Sequence, residues 1–188
     1  MKLQDMMYIS LFAAIIGVLA FFPPIALPII PVPITAQTLG VMLAGGILGA
    51  RRAGLSLLLF IVLVAIGAPL MAGGRGGLGT LIGPGGGYVM AWPVAAFVIG
   101  YLTERSLDHL KVWKLIIFNI IGGILIIYAC GVTYLAIISN LPWGVTALSS
   151  LVFLPGDLVK VVIASIVTVK INQVYPLLTK INKVQKVA

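Results

Sequence analysis

Acidic residues are nearly missing from this chain of 188 residues: it holds four, against twelve Lys and Arg. All charged residues together make up 9%, where soluble domains carry about a quarter. With 61% hydrophobic residues and a mean hydropathy of +1.21, a soluble domain is excluded and a polytopic membrane protein is expected. The length holds about six spans of roughly 20 to 25 residues, which leaves no room for a soluble catalytic domain, so residues 1–188 read as a single integral membrane domain. Cysteine is represented by Cys130 alone, which excludes an intrachain disulfide and a multi-cysteine metal site. The lone histidine, His109, sits among Glu104, Arg105 and Asp108 and reads as part of a solvated loop, not as a metal ligand or an acid–base group. No small-residue cleavage site follows the apolar N-terminal segment, which Pro23-Pro24 interrupts, so a retained span is expected there in place of a signal peptide. The glycine-rich stretch lacks the G-x-x-x-x-G-K-[ST] pattern, which argues against an ATP cradle. A net charge of +8 in a soluble protein suggests nucleic acid; here the basic residues fall between apolar spans, and topology explains them without it.

Apolar segments run over Met7–Phe22, Gln37–Ala50, Leu55–Met71, Tyr88–Leu102, Leu115–Ile138 and Pro155–Leu178. The second and fourth are short and need tilt, or extension by their proline-rich and glycine-rich neighbours. With six spans and a cytoplasmic N-terminus, Lys2, Arg51, Arg52, Arg105, Lys111, Lys114, Lys170, Lys180, Lys183 and Lys186 all fall inside, ten of the twelve basic residues. The expected fold is therefore an all-α bundle of six transmembrane helices, N-in and C-in. Arg75 and Lys160 are the exceptions, both on the outer side.

Lys160 follows Asp157 by three residues, on one helical face, within Phe153-Leu154-Pro155-Gly156-Asp157-Leu158-Val159-Lys160. A charge at the bilayer centre costs about 2.5 to 3.5 kcal/mol on insertion scales, so such groups face a partner or a polar cavity. Pro155 suits a first helical turn and puts the pair near the outer end of the last span. Asp157 can accept bonds from a ligand's N–H groups and Lys160 can donate to a carbonyl or carboxylate; the competing reading is an internal ion pair. Two irregular stretches border the same region. Five prolines between Pro23 and Pro33 exclude a regular helix and predict an extended connector lining a cavity. Nine glycines among residues 73–87 predict a loop able to approach a ligand with its backbone, either as a lid or as a plain connector. Gln37 opens the second span and is a further candidate. So is Asn119, for which helix-to-helix hydrogen bonding competes. Tyr88 and Trp92 begin the fourth span, where they can stack on a ring; for Trp92 an interfacial belt is the simpler expectation. The histidine and Asp157 lie on opposite sides, so no Ser, His and Asp set converges for hydrolysis. In the first span Ser10, Ala13, Ala14 and Gly17 form a small-residue face for close packing within the bundle or against another membrane protein.

Three stretches carry a family resemblance: Pro31-Val32-Pro33-Ile34-Thr35-Ala36-Gln37-Thr38-Leu39-Gly40, Gly83-Pro84-Gly85-Gly86-Gly87-Tyr88 and Leu154-Pro155-Gly156-Asp157-Leu158-Val159-Lys160. Together, in this order, they resemble the signature segments of the biotin-specific S-components of energy-coupling-factor vitamin transporters. The resemblance implies a six-helix S-component fold that captures biotin from outside with high affinity. It also implies partners, a transmembrane coupling subunit and two cytoplasmic ATPases, and a toppling motion that releases the vitamin. Biotin would be cargo, and no cofactor is implied. On that basis Asp157 accepts ureido N–H bonds, and Lys160 assists at the ureido end or the carboxylate. Tyr88, Gln37 and Asn119 complete the polar shell, and Arg75 meets the carboxylate if the glycine loop folds over. The Ala13-x-x-x-Gly17 spacing, with Ser10 and Ala14 alongside, resembles the Ala-x-x-x-Ala surface through which S-components dock, with glycine in place of the second alanine. Competing readings are an S-component for another small vitamin, a small intramembrane enzyme using Asp157, and a purely structural membrane protein.

Overall fold

Burial runs opposite to the habit of a soluble protein. Gln37, Asn119, Ser150 and Ser165 are fully covered, whereas Phe21, Ile137, Leu148 and Val174 stand open. A hydrocarbon exterior accepts that arrangement, because apolar side chains lose nothing in lipid while polar groups must find partners inside. Several covered hydroxyls do so within their own helices. Ser56, Thr103 and Ser165 each donate to the carbonyl four residues back, at 2.9, 2.8 and 2.7 Å.

A computed structural model describes residues 2–27, 30–175 and 177–178. The chain runs from α1 (Leu3–Val18) through a hairpin of β1 (Ile25–Leu27) and β2 (Ile30–Ile34) to α2 (Gln37–Leu48) and α3 (Ala50–Ala65). Then come α4 (Leu78–Ile82), α5 (Gly86–Arg105), α6 (Val112–Asn119), a π-helical segment (Ile120–Ile126) and α7 (Ile127–Ile138). The short α8 (Trp143–Ser150) leads through one tight turn into α9 (Leu154–Val174). Lys180, Lys183, Lys186 and Pro28 of the sequence reading lie outside the described residues.

Among the described residues four helical stretches are long and apolar enough to cross a membrane: Leu3–Phe21, Gly86–Arg105, Val112–Ile138 and Trp143–Val174. The chain is thus a mostly helical, multi-pass membrane protein. The other two predicted spans are shorter helices. α2 has 12 residues and α3 has 16, about 18 and 24 Å of helix against a hydrocarbon core of roughly 30 Å. The predicted third span also moves toward the N-terminus, to Ala50–Ala65, because Gly49 ends α2 at φ +80° and Gly67 lies beyond α3 at φ +105°. At Gly49 the Glu104 carboxylate fills the space a Cβ would occupy, and its Oε1 accepts from the Ala50 N–H at 2.9 Å. Asp5 of α1 forms an ion pair with Arg52 of α3. The starts of α1 and α3 and the ends of α2 and α5 are thereby gathered at one end of the bundle.

The opposite end carries the irregular chain. Prolines exclude a helix over residues 23–33, and an antiparallel hairpin forms instead, with Ile25 opposite Ile34 and Leu27 opposite Ile30. The glycine-rich stretch is more structured than a loop. Met71 and Arg75 exchange backbone bonds, Thr80 donates to the Gly76 carbonyl at 2.9 Å, and buried Leu81 anchors α4.

Candidate ligand-binding site

Pro155 falls in the first turn of α9 and sets Asp157 and Lys160 one turn apart at the irregular end. Lys160 Nζ donates to Asp157 Oδ1 at 2.8 Å and to Thr38 Oγ1 at 3.0 Å. Thr38 Oγ1 donates in turn to Asp157 Oδ1 at 3.4 Å, and the Tyr128 hydroxyl donates to Oδ2 at 2.7 Å. The two charges therefore neutralise each other within a network drawn from α2, α7 and α9. Oδ2 carries one bond here and keeps room for another donor.

Asp157 is part of the wall of a cavity of about 290 Å³. That volume is near the lower end of small-molecule pockets, roughly 300 to 1,000 Å³. Pro31 to Ile34 of the hairpin, Gly83 to Gly85, Val89, Ile127 and Phe153 give it apolar walls, with Tyr88, Trp92, Gln37, Arg75 and Tyr128 interspersed. Lys160 does not border the space and acts from behind Asp157.

The candidate residues from the sequence divide on inspection. Gln37, Arg75, Tyr88 and Asp157 border the cavity. Gln37 is fully covered, and its Nε2 donates to the Ile16 carbonyl at 3.3 Å and to the Leu70 carbonyl at 3.0 Å. Tyr88 exchanges a bond with Ser150 Oγ at 3.0 Å, and its ring meets Tyr128 and Phe153 edge-on. Arg75 is exposed at the rim, with Nε 3.4 Å from the Ala72 carbonyl. Asn119 stands elsewhere. It faces α9 and donates to Ser165 Oγ at 3.0 Å, the helix-to-helix bond that competed with a ligand role. Trp92 corrects the belt expectation: it lies one turn inside Tyr88 on α5, packs on Phe60 and borders the cavity. The α1 face also needs correction. Ala13 and Gly17 are covered within the chain, a Cβ at Gly17 falling 3.0 Å from Leu70, whereas Ser10 and Ala14 are exposed. The four small residues straddle the edge of the covered stripe, so only two are open to a partner.

Thr38 and Tyr128 were missed. Thr38 lies inside a quoted signature stretch, next to Gln37. Tyr128 follows Gly122 and Gly123 in an apolar run where π-helical winding sets its direction, a feature that hydrophobic spacing does not reveal. The assembly can hold a small molecule with an apolar body, N–H donors to meet a carboxylate and an anionic end to meet Arg75.

The BioY family profile matches residues 1–177 of this chain. The chain belongs to the BioY family. The biotin transporter BioY of Rhizobium etli is 44% identical over 183 residues, 95% of this chain and 98% of its own. The probable biotin transporter BioY of Bacillus subtilis is 45% identical, with 92% of each chain covered. A crystal structure of the S-component for biotin from an ECF-type ABC transporter has a TM-score of 0.87 and 32% identity, covering 92% of both chains. The described BioY fold therefore has a solved counterpart at an identity high enough to mean common ancestry and not architecture alone.

Proposed function

We propose that this protein captures biotin from the outer side of the membrane with high affinity, as the S-component of an energy-coupling-factor transporter. The observation that carries this reading is the cavity bordered by Asp157, with the carboxylate held by Lys160, Thr38 and Tyr128, in a chain whose relatives are biotin transporters. Biotin suits such a cavity: its bicyclic core and chain are apolar, its ureido group offers two N–H donors and a carbonyl, and its tail ends in a carboxylate. Asp157 accepts a ureido N–H, Lys160 fixes the Asp157 charge, and Tyr88 and Gln37 border the ligand. Arg75 meets the carboxylate at the rim. The protein is a transport component and not an enzyme, and biotin is its cargo.

The membrane topology belongs to the same proposal. All six apolar segments cross, with α2 and α3 as a pair of short spans turning at Gly49, both termini inside, and the whole chain forming one domain in the cell membrane. The pairing of Asp5 with Arg52 and of Ala50 with Glu104 supports a common inner end for α1, α2, α3 and α5. Uphill uptake needs a driver, and a coupling subunit with two ATPases would supply it.

Equilibrium titration of labelled biotin into the purified chain in detergent, without partners, is expected to give tight saturable binding. Thiamine and riboflavin are expected not to compete. Retention of another vitamin with no biotin bound would overturn the ligand. For docking, the exposed pair is the lever: Ser10→Leu with Ala14→Leu is expected to leave biotin affinity intact and abolish co-purification with the coupling subunit. Undiminished co-purification would remove α1 from the docking surface.

A further inference from the structure

Four buried side-chain polar atoms have no partner among the described residues, and two of them belong to residues that border the cavity: Gln37 Oε1 and Trp92 Nε1. Gln37 is 0% exposed and Trp92 3%. Native structures leave few such atoms unpaired, and each calls for an explanation in strain, function or a bound species. The Gln37 amide has its orientation fixed, because turning it over would set Oε1 against the carbonyls of Ile16 and Leu70 that Nε2 now bonds. One atom is an acceptor and the other a donor-only indole N–H.

Several neighbouring polar groups are committed elsewhere. The Tyr128 hydroxyl gives its proton to Asp157, Tyr88 is paired with Ser150, and Lys160 is held by Asp157 and Thr38 behind the wall. Gln37 Oε1, from α2, and Asp157 Oδ2, from α9, are thus two acceptors on residues that border the cavity. Trp92 comes from α5. A cyclic ureido group presents donor, acceptor and donor along one edge. Resting on the proposed ligand, we infer that the cavity reads that edge at three points: Asp157 Oδ2 and Gln37 Oε1 each accept one ureido N–H, and Trp92 Nε1 donates to the ureido carbonyl. Arg75, at the exposed rim, is left for the carboxylate.

The test compares biotin with its 2-imino analogue, which at neutral pH is protonated and carries donors where the carbonyl lone pairs stood. Trp92→Phe keeps an aromatic ring beside Phe60 and removes the N–H together with part of the indole's volume. It is expected to weaken biotin roughly tenfold, the scale of one lost hydrogen bond, and to leave the analogue within about twofold, so that discrimination shrinks roughly tenfold. A packing role alone would weaken both ligands alike. As a readout that leaves Trp92 in place, ¹⁵N-indole spectra of Trp113→Phe, Trp143→Phe protein are expected to show the remaining N–H resonance shifting downfield on biotin addition. Unchanged discrimination, or a resonance indifferent to biotin, overturns the three-point reading while biotin binding stands. Failure of the unaltered protein to bind biotin instead overturns the proposed function beneath it.

Discussion

Asp157→Ala is expected to abolish biotin binding and to lower the thermal midpoint of the detergent-solubilised protein by several degrees. Two consequences follow from one deletion. The ligand loses its acceptor, and Lys160 is left as a buried cation whose counter-ion has gone. The side chains of the pair are only 7% and 14% exposed, and removing one partner of a buried pair costs about 3 to 5 kcal/mol. Thr38 and Tyr128 also lose the oxygens to which they donate. Adding Lys160→Met separates the two consequences. Both charges then leave together and methionine fills most of the lysine volume, so much of the lost stability is expected to return. Binding is not expected to return, because no acceptor replaces the carboxylate. Titration and thermal unfolding of the single and double variants decide the matter: a double variant that binds biotin like the unaltered chain would show that Asp157 never touches the ligand. A single variant as stable as the unaltered chain would show the ion pair to be idle.

The charged pair was legible because its position in an apolar run has a large and specific cost, which narrows the explanations to a partner or a cavity. Its other partners were not legible. Thr38 comes from 119 residues earlier in the chain and Tyr128 from 29 earlier, and nothing local in either stretch says which way the side chain points. The prolines announced an extended connector, since their missing N–H groups forbid a helix; that it folds back into a hairpin depends on pairing, which proline content does not specify. Trp92 misled because the interfacial preference of tryptophan is a property of depth, and depth was counted from the start of an apolar run. The helix begins at Gly86, and Phe60 of α3 offers the ring a buried site one turn in. Asn119 was recognised as a polar group needing a partner, but the choice between ligand and Ser165 rests on how α6 meets α9. In α1 the small residues were plain, whereas the edge of the covered stripe among them is a matter of tertiary packing.

Gly131→Val is expected to cut biotin affinity by roughly two orders of magnitude, the upper part of the 1 to 3 kcal/mol range for overpacking, with the protein still inserted and monodisperse. Gly131 lies on α7 against the Tyr88 ring, and a Cβ there would fall 2.3 Å from Cδ1 and 2.4 Å from Cε1 and Cγ. Carbon atoms out of bond contact settle at about 3.5 to 4.0 Å, so the ring must move by more than an ångström. Tyr128 and Phe153 hold its edges and the hydroxyl is tied to Ser150. Displacement therefore breaks the Ser150 bond, drives the ring into the cavity it borders, or pushes Tyr128 away from Asp157; each outcome removes part of the binding surface. Gly144→Val provides the control, because a Cβ at Gly144 on α8 meets nothing within 4 Å. It is expected to bind as the unaltered chain does. Combining Gly131→Val with Tyr88→Leu shortens the obstructing side chain, and is expected to restore thermal stability while leaving affinity low, since the aromatic wall is gone. Full affinity in Gly131→Val alone would mean that the Tyr88 ring can leave without cost, and that it is no part of the site.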